Sequence, residues 1–215
     1  MCGRYVSPDS ASIERQWQLR RSPGNPFPAR YNVSPGTDVP ILLFKNNQLE
    51  LTAARWGLIP HWWNRHPLPR LSHNARAEEA ASKPLWRDAM RGARALMPAI
   101  GWYEWREADR QPFYFKPRDG RLACIAALFS VHKGRLTCAL LTHGADGDIA
   151  RVHDRMPVVL DDAAQTAWLT SGAMPSAHPP LDFYAVRKTV NASRAEGREL
   201  IEPSSGSEPE LWTSS

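Results

Sequence analysis

The sequence predicts an α+β fold in one domain, built mainly from antiparallel strands. Its 215 residues suit a single domain with a sizeable core. Apolar runs of strand length follow one another with turn residues between them, whereas helical stretches are few and short. The regular alternation of strand and helix that indicates a parallel sheet is missing. A content of 42% hydrophobic and 23% charged residues is typical of a globular protein.

The amino-terminal part begins with a predicted helix. Ser7 and Pro8 are typical of an N-cap followed by a first turn. Ile13 and Trp17 are four residues apart and would share the buried face of this helix. The following segment, 21–40, is rich in proline and glycine, and we expect it to be irregular.

Two strands and a long loop come next. The apolar runs 39–44 and 49–56 are predicted to pair as a hairpin across Asn46-Asn47. Residues 57–74 contain three prolines and are expected to form an irregular, functional loop. Ser82 is then predicted to cap a short helix that runs to about Arg91.

The second half is strand-rich. The predicted strands are 94–105, 112–117, 122–131, 135–143, the short run 158–160 and 182–190. Gly120 and Gly134 mark turns between three of them. Asp161 is predicted to cap a helix through Trp168. The domain is expected to span residues 1–203, and the Ser-, Glu- and Pro-rich segment 204–215 is expected to be a disordered tail.

The three cysteines give information about compartment and chemistry. Cys124 and Cys138 lie inside apolar runs and are predicted to be buried thiols. Because the count is odd and no CxxC spacing occurs, we expect neither a disulfide framework nor a metal site. No secretory signal and no apolar run long enough to span a bilayer is present. We therefore expect a cytoplasmic protein without cofactor or membrane association.

Cys2 is the unusual cysteine, because it follows the initiator methionine directly. Removal of Met1 would create a free α-amine beside a thiol. An α-amine has a pKa of about 7.7–8.0, so a useful fraction is neutral near pH 7. Such an amine attacks an aldehyde to form a Schiff base, and the neighbouring thiol can then close a thiazolidine ring. The alternative is that a cysteine at position 2 has no function.

Two clusters could support this chemistry at a DNA backbone. Asn74, Arg76 and Glu78 offer an amide, a guanidinium and a carboxylate that could hold a sugar and its phosphates. The alternative for Asn74 is a helix N-cap. His153 lies between Arg151 and Arg155, where a proton donor would stand beside phosphate ligands.

Glu104 lies among aromatic residues in the segment 101–105. In a strand it would share one face with Trp102, and an apolar setting raises a carboxyl pKa and favours acid–base work. The alternative is an exposed glutamate on an edge strand. Trp62 and Trp63 follow a proline in the long loop and are predicted to be exposed, where they could stack on bases. The net charge of +5 is compatible with nucleic acid.

Eight motifs in the chain form an ordered set that covers nearly all of it before the tail. They are MCGRY (1–5), RYNVSPGT (30–37), RWGLIPHWW (55–63), HNARAE (73–78), KPLWR (83–87), PAIGWYEW (98–105), HDRMPVVL (153–160) and ELIEP (199–203). Together they resemble the SRAP family, the SOS-response-associated peptidase or abasic-site processing proteins. The resemblance implies one α+β domain with a barrel-like core of antiparallel sheets and short flanking helices.

The resemblance also implies a function. Family members bind single-stranded DNA or single-strand/duplex junctions and link covalently to abasic sites. Met1 would be removed by self-cleavage, and strand-cleaving lyase activity is implied as well. The implied localisation is cytoplasmic, and nucleoid-associated when bound to DNA, as a monomer.

The family roles carry over motif by motif. The implied catalytic residues are Cys2 as nucleophile, Asn74 for positioning, Glu104 as acid–base carboxylate and His153 for proton transfer. The implied DNA-binding residues are Arg4, Arg76 and Arg155 for phosphates and Trp62 and Trp63 for bases. Departures from the family pattern include Ile100, where an aspartate is common, and the segment 142–146.

Two other functions remain open at this stage. The chain could be a thiol peptidase that acts on other proteins through Cys2 and His153. It could instead be a single-strand DNA binder without chemistry, which would use only its tryptophans and arginines.

Overall fold

The computed structural model describes residues 2–20, 27–70, 72–204 and 210–211. The strands in this part of the chain are β1 (Arg4–Ser7), β2 (Arg30–Val33), β3 (Asp38–Lys45), β4 (Gln48–Trp56), β5 (Asn74–Arg76), β6 (Arg94–Ala99), β7 (Gly101–Trp105), β8 (Pro112–Pro117), β9 (Ala123–His132), β10 (Arg135–Gly144), β11 (Arg155–Pro157), β12 (Leu181–Ala185) and β13 (Glu210–Leu211). The α-helices are α1 (Ser10–Trp17), α2 (Ala77–Ala80), α3 (Arg87–Gly92) and α4 (Asp162–Ser171). Short 3-10 helices span Gly147–Arg151, Lys188–Asn191 and Arg198–Ile201.

Five strands close into a barrel. Their order is β10-β4-β3-β6-β9, and β9 pairs back with β10 to complete the ring. Only β4 and β10 are parallel in this ring, and the other neighbours are antiparallel. The short strands β5 and β11 add to β10 at one end. The expected α+β fold with a barrel-like core is confirmed.

A second sheet packs on the barrel. Its order is β13-β12-β8-β7-β1-β2. One apolar cluster joins Trp56 and Leu140 of the barrel to Trp102 and Phe115 of this sheet, so the two layers share a core. The chain crosses between the layers at Gly101, where a Cβ atom would lie 2.2 Å from the carbonyl oxygen of Phe115. Glycine is therefore required at the crossing.

Local sequence signals correctly predicted several elements. The hairpin of β3 and β4 turns at Asn46 and Asn47, whose φ values of 49° and 64° fit the left-handed turn that asparagine tolerates. Asp161 caps α4 by accepting a hydrogen bond from the backbone N–H of Ala164 at 2.8 Å. Trp56, Cys124 and Cys138 are buried, as expected.

Other element boundaries were wrong. Ser7 ends strand β1 and pairs with Arg30, and the N-cap of α1 is Asp9, which accepts from the N–H of Ser12 at 2.7 Å. Strands β1, β2 and β5 were missed because each is short and is stabilised by sheet pairing. The helix expected from Ser82 begins only at Arg87.

Strand positions in the second half also needed correction. The run 94–105 is two strands that belong to different sheets. The short strand expected at 158–160 lies at Arg155–Pro157, and Val159 forms only an isolated bridge. The late strand ends at Ala185 and a 3-10 helix follows.

Parts of the predicted organisation fall outside the described residues. These are Met1, the segment 21–26 and most of the tail predicted for 204–215. Within that tail, Leu211 pairs with Asp182 of β12. In the described part of the chain, no helix is long and apolar enough to cross a membrane.

Candidate active site

Cys2 lies in the core between the barrel and the second sheet. Its side chain is completely buried, and its Sγ lies 3.9 Å from the carbonyl oxygen of Arg4. Burial raises the pKa of the Cys2 thiol well above its ordinary value, and Glu104, when ionised, raises it further. The thiol is therefore neutral near pH 7, and it needs a base before it can react as a thiolate.

Strand register brings Glu104 beside the amino terminus. β1 pairs antiparallel with β7, and Arg4 lies opposite Tyr103. The residues before Arg4 therefore run alongside Glu104 and Trp105. β7 lies between β1 and β8 and is an interior strand, so the alternative of an exposed edge-strand glutamate is wrong.

The electrostatic setting of Glu104 is that of a neutral acid. The residue is only 1% exposed. Burial raises its pKa from 4.5 to about 8, and the negative charge of Asp154 adds to the rise. Glu104 is thus mainly protonated at pH 7 and can both give and take a proton close to neutrality.

Asn74 contacts the amino-terminal residue directly. It begins strand β5, which pairs parallel with β10, so the alternative of a helix N-cap is wrong. Its Nδ2 donates a 2.8 Å hydrogen bond to the carbonyl oxygen of Cys2. Its Oδ1 is buried and has no hydrogen-bond partner among the described residues. The amide therefore orients the backbone of Cys2 and keeps one acceptor available beside it.

His153 is held by the backbone of its own turn. Its Nδ1 accepts a 3.0 Å hydrogen bond from the N–H of Arg155 and lies 3.1 Å from Oδ1 of Asp154. Burial lowers the pKa of the imidazole, so its neutral form is favoured. Nδ1 also lies 3.2 Å from the carbonyl oxygen of Arg155, so this nitrogen can accept from the N–H of Arg155 or donate to an oxygen, according to the tautomer. When the imidazole is protonated, Nδ1 forms an ion pair with Asp154. Both the neutral and the charged imidazole therefore have a partner at Nδ1.

A groove opens next to the amino terminus. It has a volume of about 390 Å³ and is lined by Gly3, Arg4, Trp105, Arg110 and Asn191. The Arg4 guanidinium lies 6.0 Å from the ring centre of Trp105, and Nε1 of Trp105 donates to Oδ1 of Asn191 at 2.7 Å. An aromatic ring with arginines beside it is a surface suited to a nucleotide.

Arg4 is fixed in this groove by residues that sequence reasoning missed. Its Nη1 donates to Oδ1 of Asn32 at 2.7 Å and to the carbonyl oxygen of Val190 at 2.9 Å. Arg110 and Asn191 were missed as well. Asn32 lies in the motif 30–37 without a local signal for this role, and Arg110 and Asn191 lie outside the motifs, since the groove forms only when distant segments fold together. Trp105 had a signal, because it adjoins Glu104 in the motif 98–105.

The two other predicted phosphate ligands differ in their availability. Arg76 is exposed, with Nη1 3.8 Å from a carboxylate oxygen of Glu79. Arg155 has a side chain only 14% exposed, and it forms a bidentate ion pair with Glu78 at 2.8 and 2.9 Å. Part of the guanidinium of Arg155 is therefore already engaged inside the protein.

Trp62 and Trp63 lie in the loop after β4. Trp62 is 41% exposed, as predicted, whereas Trp63 is only partly exposed. Their ring centres are 5.8 Å apart. Trp62 donates to Oδ2 of Asp88 at 3.2 Å, and the carbonyl oxygen of Trp63 contacts Nε2 of His132 at 2.8 Å. These contacts place the pair by α3 and the β9–β10 hairpin.

Within the described ranges, no group of three or more His, Cys, Asp or Glu residues is arranged to hold a metal ion. The four predicted catalytic residues carry an amide, a carboxyl, an imidazole and a thiol, and the amide of Asn74 contacts Cys2 directly. Such groups can move protons and add to a carbonyl.

The chain is similar to proteins of one family over most of its length. The model of the SOS response associated peptidase (SRAP) family matches residues 1–193. The abasic site processing protein YedK of Escherichia coli K12 is 32% identical, covering 94% of this chain and all of that protein. The abasic site processing protein HMCES of Xenopus tropicalis is 29% identical, covering 94% of this chain and 78% of that protein.

Solved structures agree on the fold. A protein from Bacteroides thetaiotaomicron superimposes with a TM-score of 0.78 at 18% identity, covering 95% of this chain. One from Bordetella bronchiseptica gives a TM-score of 0.75 at 23% identity over 86% of this chain. At these identities the likeness establishes only that the folds agree.

Proposed function

This chain belongs to the SOS response associated peptidase family, and we propose that it processes abasic sites in DNA through a covalent bond from Cys2 to the baseless sugar. One observation carries the proposal. Cys2 is held through its carbonyl by Asn74 beside Glu104, a carboxyl whose pKa is raised to about 8 by burial. Relatives with full-length similarity are named abasic site processing proteins.

The first step is formation of a Schiff base. After Met1 is removed, by self-cleavage as the family name suggests, the α-amine of Cys2 attacks C1′ of the ring-opened sugar. Protonated Glu104 gives its proton to the aldehyde oxygen. Of the two amine protons, one also reaches this oxygen, which leaves as water, and the other restores the Glu104 acid. The pKa of Glu104 near 8 is close to that of an α-amine, about 7.7–8.0. Proton exchange between them therefore has a small free-energy cost.

Ring closure is the second step. The thiol of Cys2 adds to the imine carbon, and its proton passes by way of the Glu104 carboxylate to the imine nitrogen. A thiazolidine results, and aldehyde plus aminothiol gives thiazolidine plus water without redox change. The raised thiol pKa means that Sγ reacts only when this base is beside it. Burial of the product would keep water from reversing the reaction.

A lyase reaction would compete with ring closure. An imine acidifies the proton at C2′, and removal of that proton expels the 3′ phosphate. His153, neutral because burial lowers its pKa, is the base proposed for this step. A thiazolidine has no imine, so the faster the thiol closes the ring, the less strand cleavage occurs.

The DNA proposed as substrate is single-stranded, or a junction with a single-stranded part. A nucleotide in a single strand can turn into a recessed site such as the groove lined by Gly3 and Arg4, whereas one in a stacked duplex must first be unstacked. Arg4, Arg76 and Arg155 are the proposed phosphate contacts, and Trp62 and Trp63 the proposed base contacts. No observation favours a thiol peptidase, since burial raises the pKa of the thiol that would have to ionise.

The test is adduct formation with an abasic single-stranded oligonucleotide. The wild-type protein, with loss of Met1 verified by intact mass, should give a heat-stable shifted band in a denaturing gel. Cys2→Ala should leave only a transient adduct that borohydride can trap, and Cys124→Ala, which removes a different buried thiol, should behave as wild type. Absence of the wild-type band would refute the proposal. Equal, non-covalent binding of intact and abasic strands would favour a simple binder.

A further inference from the structure

Three strands of the site converge at one residue of the barrel, Thr142. On β10, Thr142 pairs with Arg76 of β5 and with Pro157 of β11. β5 ends at this point, and the chain continues as the short helix α2, which carries Glu78. The turn that leads into β11 carries His153. Thr142 therefore marks the place where the segments with Asn74 and His153 are joined.

The side chain of Arg155 holds this junction together, and its contacts with Glu78 and Thr142 form what is called here the brace. Its Nη1 and Nη2 donate to the two carboxylate oxygens of Glu78 at 2.8 and 2.9 Å. Nη2 also donates to the carbonyl oxygen of Thr142 at 2.7 Å. Hydrogen bonding from Arg155 lowers the pKa of Glu78 to about 2, so the carboxylate is charged throughout the physiological range. A bidentate pair of this kind fixes geometry more firmly than a single contact.

Glu78 and Arg155, the two residues of this ion pair, are each connected to a predicted catalytic residue. Glu78 lies four residues after Asn74, whose amide binds the carbonyl of Cys2. The backbone N–H of Arg155 donates to Nδ1 of His153. A change in the position of Arg155 would therefore change the orientation of the imidazole, although Glu78 is not part of the chemistry.

We propose that Glu78 is a positioning residue of the abasic-site reaction, which holds Arg155 and through it sets the place of His153 relative to Cys2 and Asn74. This inference rests on the function proposed above. Arg155 then serves first as an internal brace, and its loss affects the chemical step more than the affinity for DNA.

The experiment compares Glu78→Gln with a matched control. Glutamine keeps the shape of the Glu78 side chain but removes its charge, so the bidentate ion pair with Arg155 is lost. The control is Asp162→Asn, because Asp162 forms a similar bidentate pair with Arg121 at 2.9 and 3.0 Å on another part of the surface. In single-turnover crosslinking, Glu78→Gln should lower the maximal rate about tenfold, since small misplacements of reacting groups cost this much or more. Its half-saturating DNA concentration should stay within about twofold of wild type, and Asp162→Asn should change neither quantity.

A second measurement does not depend on DNA. In the free protein, the imidazole of His153 is titrated by NMR. Burial lowers its pKa in the wild type, and looser packing in Glu78→Gln should move the pKa up toward its ordinary value, with no change in Asp162→Asn. If wild type forms no adduct, the proposed function fails, while the titration still tests the brace.

Two results would overturn the inference. One is a Glu78→Gln protein with wild-type crosslinking rate and an unchanged His153 titration. The other is a parallel loss of rate and DNA affinity, which would make Glu78 a binding residue. If Glu78→Gln does not fold, Glu78→Asp keeps the charge with a shorter reach. It should give a smaller loss of maximal rate, and an unchanged rate in that variant overturns the inference equally.

Discussion

Glu104→Gln should make the folded protein more stable at alkaline pH while it removes activity. The substitution keeps the shape of a side chain that is 1% exposed and replaces an ionisable group by a neutral one. Burial raises the pKa of Glu104 from 4.5 to about 8. The wild-type protein therefore carries a cost on ionising this carboxyl that the variant does not have.

The sign and size of the effect follow from proton binding. Below pH 4.5 the carboxyl is protonated in both the folded and the unfolded state. Between pH 4.5 and 8 only the folded state keeps the proton, so the stability of the wild type falls as the pH rises. The loss reaches about 5 kcal/mol at most once the pH exceeds 8, because each pKa unit corresponds to about 1.36 kcal/mol.

Denaturant unfolding at pH 5 and pH 8.5 measures this difference. The free energy of unfolding of Glu104→Gln, relative to wild type, should be higher at pH 8.5 than at pH 5 by several kcal/mol. The control Glu50→Gln alters a carboxylate whose side chain is 43% exposed and should show no such dependence. An equal stability difference at both pH values would refute the assignment of Glu104 as a buried neutral acid.

The same variant separates stability from chemistry. Loss of the proton donor should slow crosslinking about 10²- to 10⁴-fold, the usual contribution of a general acid. The alkaline limb of the wild-type pH–rate profile, expected near pH 8 from the Glu104 pKa, should disappear with it. A Glu104→Gln protein that is more stable than wild type and yet inactive would show that the Glu104 carboxyl lowers stability and is needed for the reaction.

Three further predictions address other parts of the molecule. Asn74→Asp removes the donor to the carbonyl of Cys2 and places a charge at a buried position. Crosslinking at saturating DNA should fall at least about tenfold, with unchanged affinity in a binding assay with intact strands. Arg110→Gln should reduce the slope of log affinity against log salt by about 0.7, as expected for one phosphate contact on a single strand, and leave the maximal crosslinking rate unchanged. Gly101→Ala would set a Cβ 2.2 Å from the carbonyl oxygen of Phe115; thermal unfolding should reveal a loss of about 3 kcal/mol or more, and a normal melting temperature would contradict the close approach.

Elements whose conformation is set by their own residues could be predicted from the sequence, whereas elements set by pairing with distant strands could not. The turn at Asn46 and Asn47 and the cap at Asp161 follow from the conformations and hydrogen bonds of those residues alone. β1 and β5 were missed because three or four residues carry no periodic pattern, and their conformation comes from neighbouring strands. Ser7 illustrates the competition, since a good N-cap residue ends a strand when its backbone pairs with Arg30.

The candidate site divides in the same way. Glu104 could be predicted to be an acid in apolar surroundings, because strand alternation places it beside aromatic rings. Its burial on an interior strand depends on sheet order, which the local pattern does not contain. Asn32 and Asn191, which order the groove around Arg4 and Trp105, come from segments far apart in the chain. The partner of Arg155 could not be predicted either, although Glu78 was already in a motif, because the pair joins helix α2 to strand β11, which are far apart in the chain.

The burial of Cys2 distinguishes the functions that the sequence left open. A thiol peptidase needs a thiolate that an external peptide can reach, and a completely buried thiol with a raised pKa is poorly suited to that. An aminothiol trap needs the amine to react first and the thiol to act only afterwards, within a few ångströms of a base. A neutral, buried Sγ whose pKa responds to the charge of Glu104 fits this order of events, because it stays unreactive toward dissolved electrophiles until an imine has formed at the amine. The same burial that argues against the peptidase therefore supports selectivity in the proposed trap.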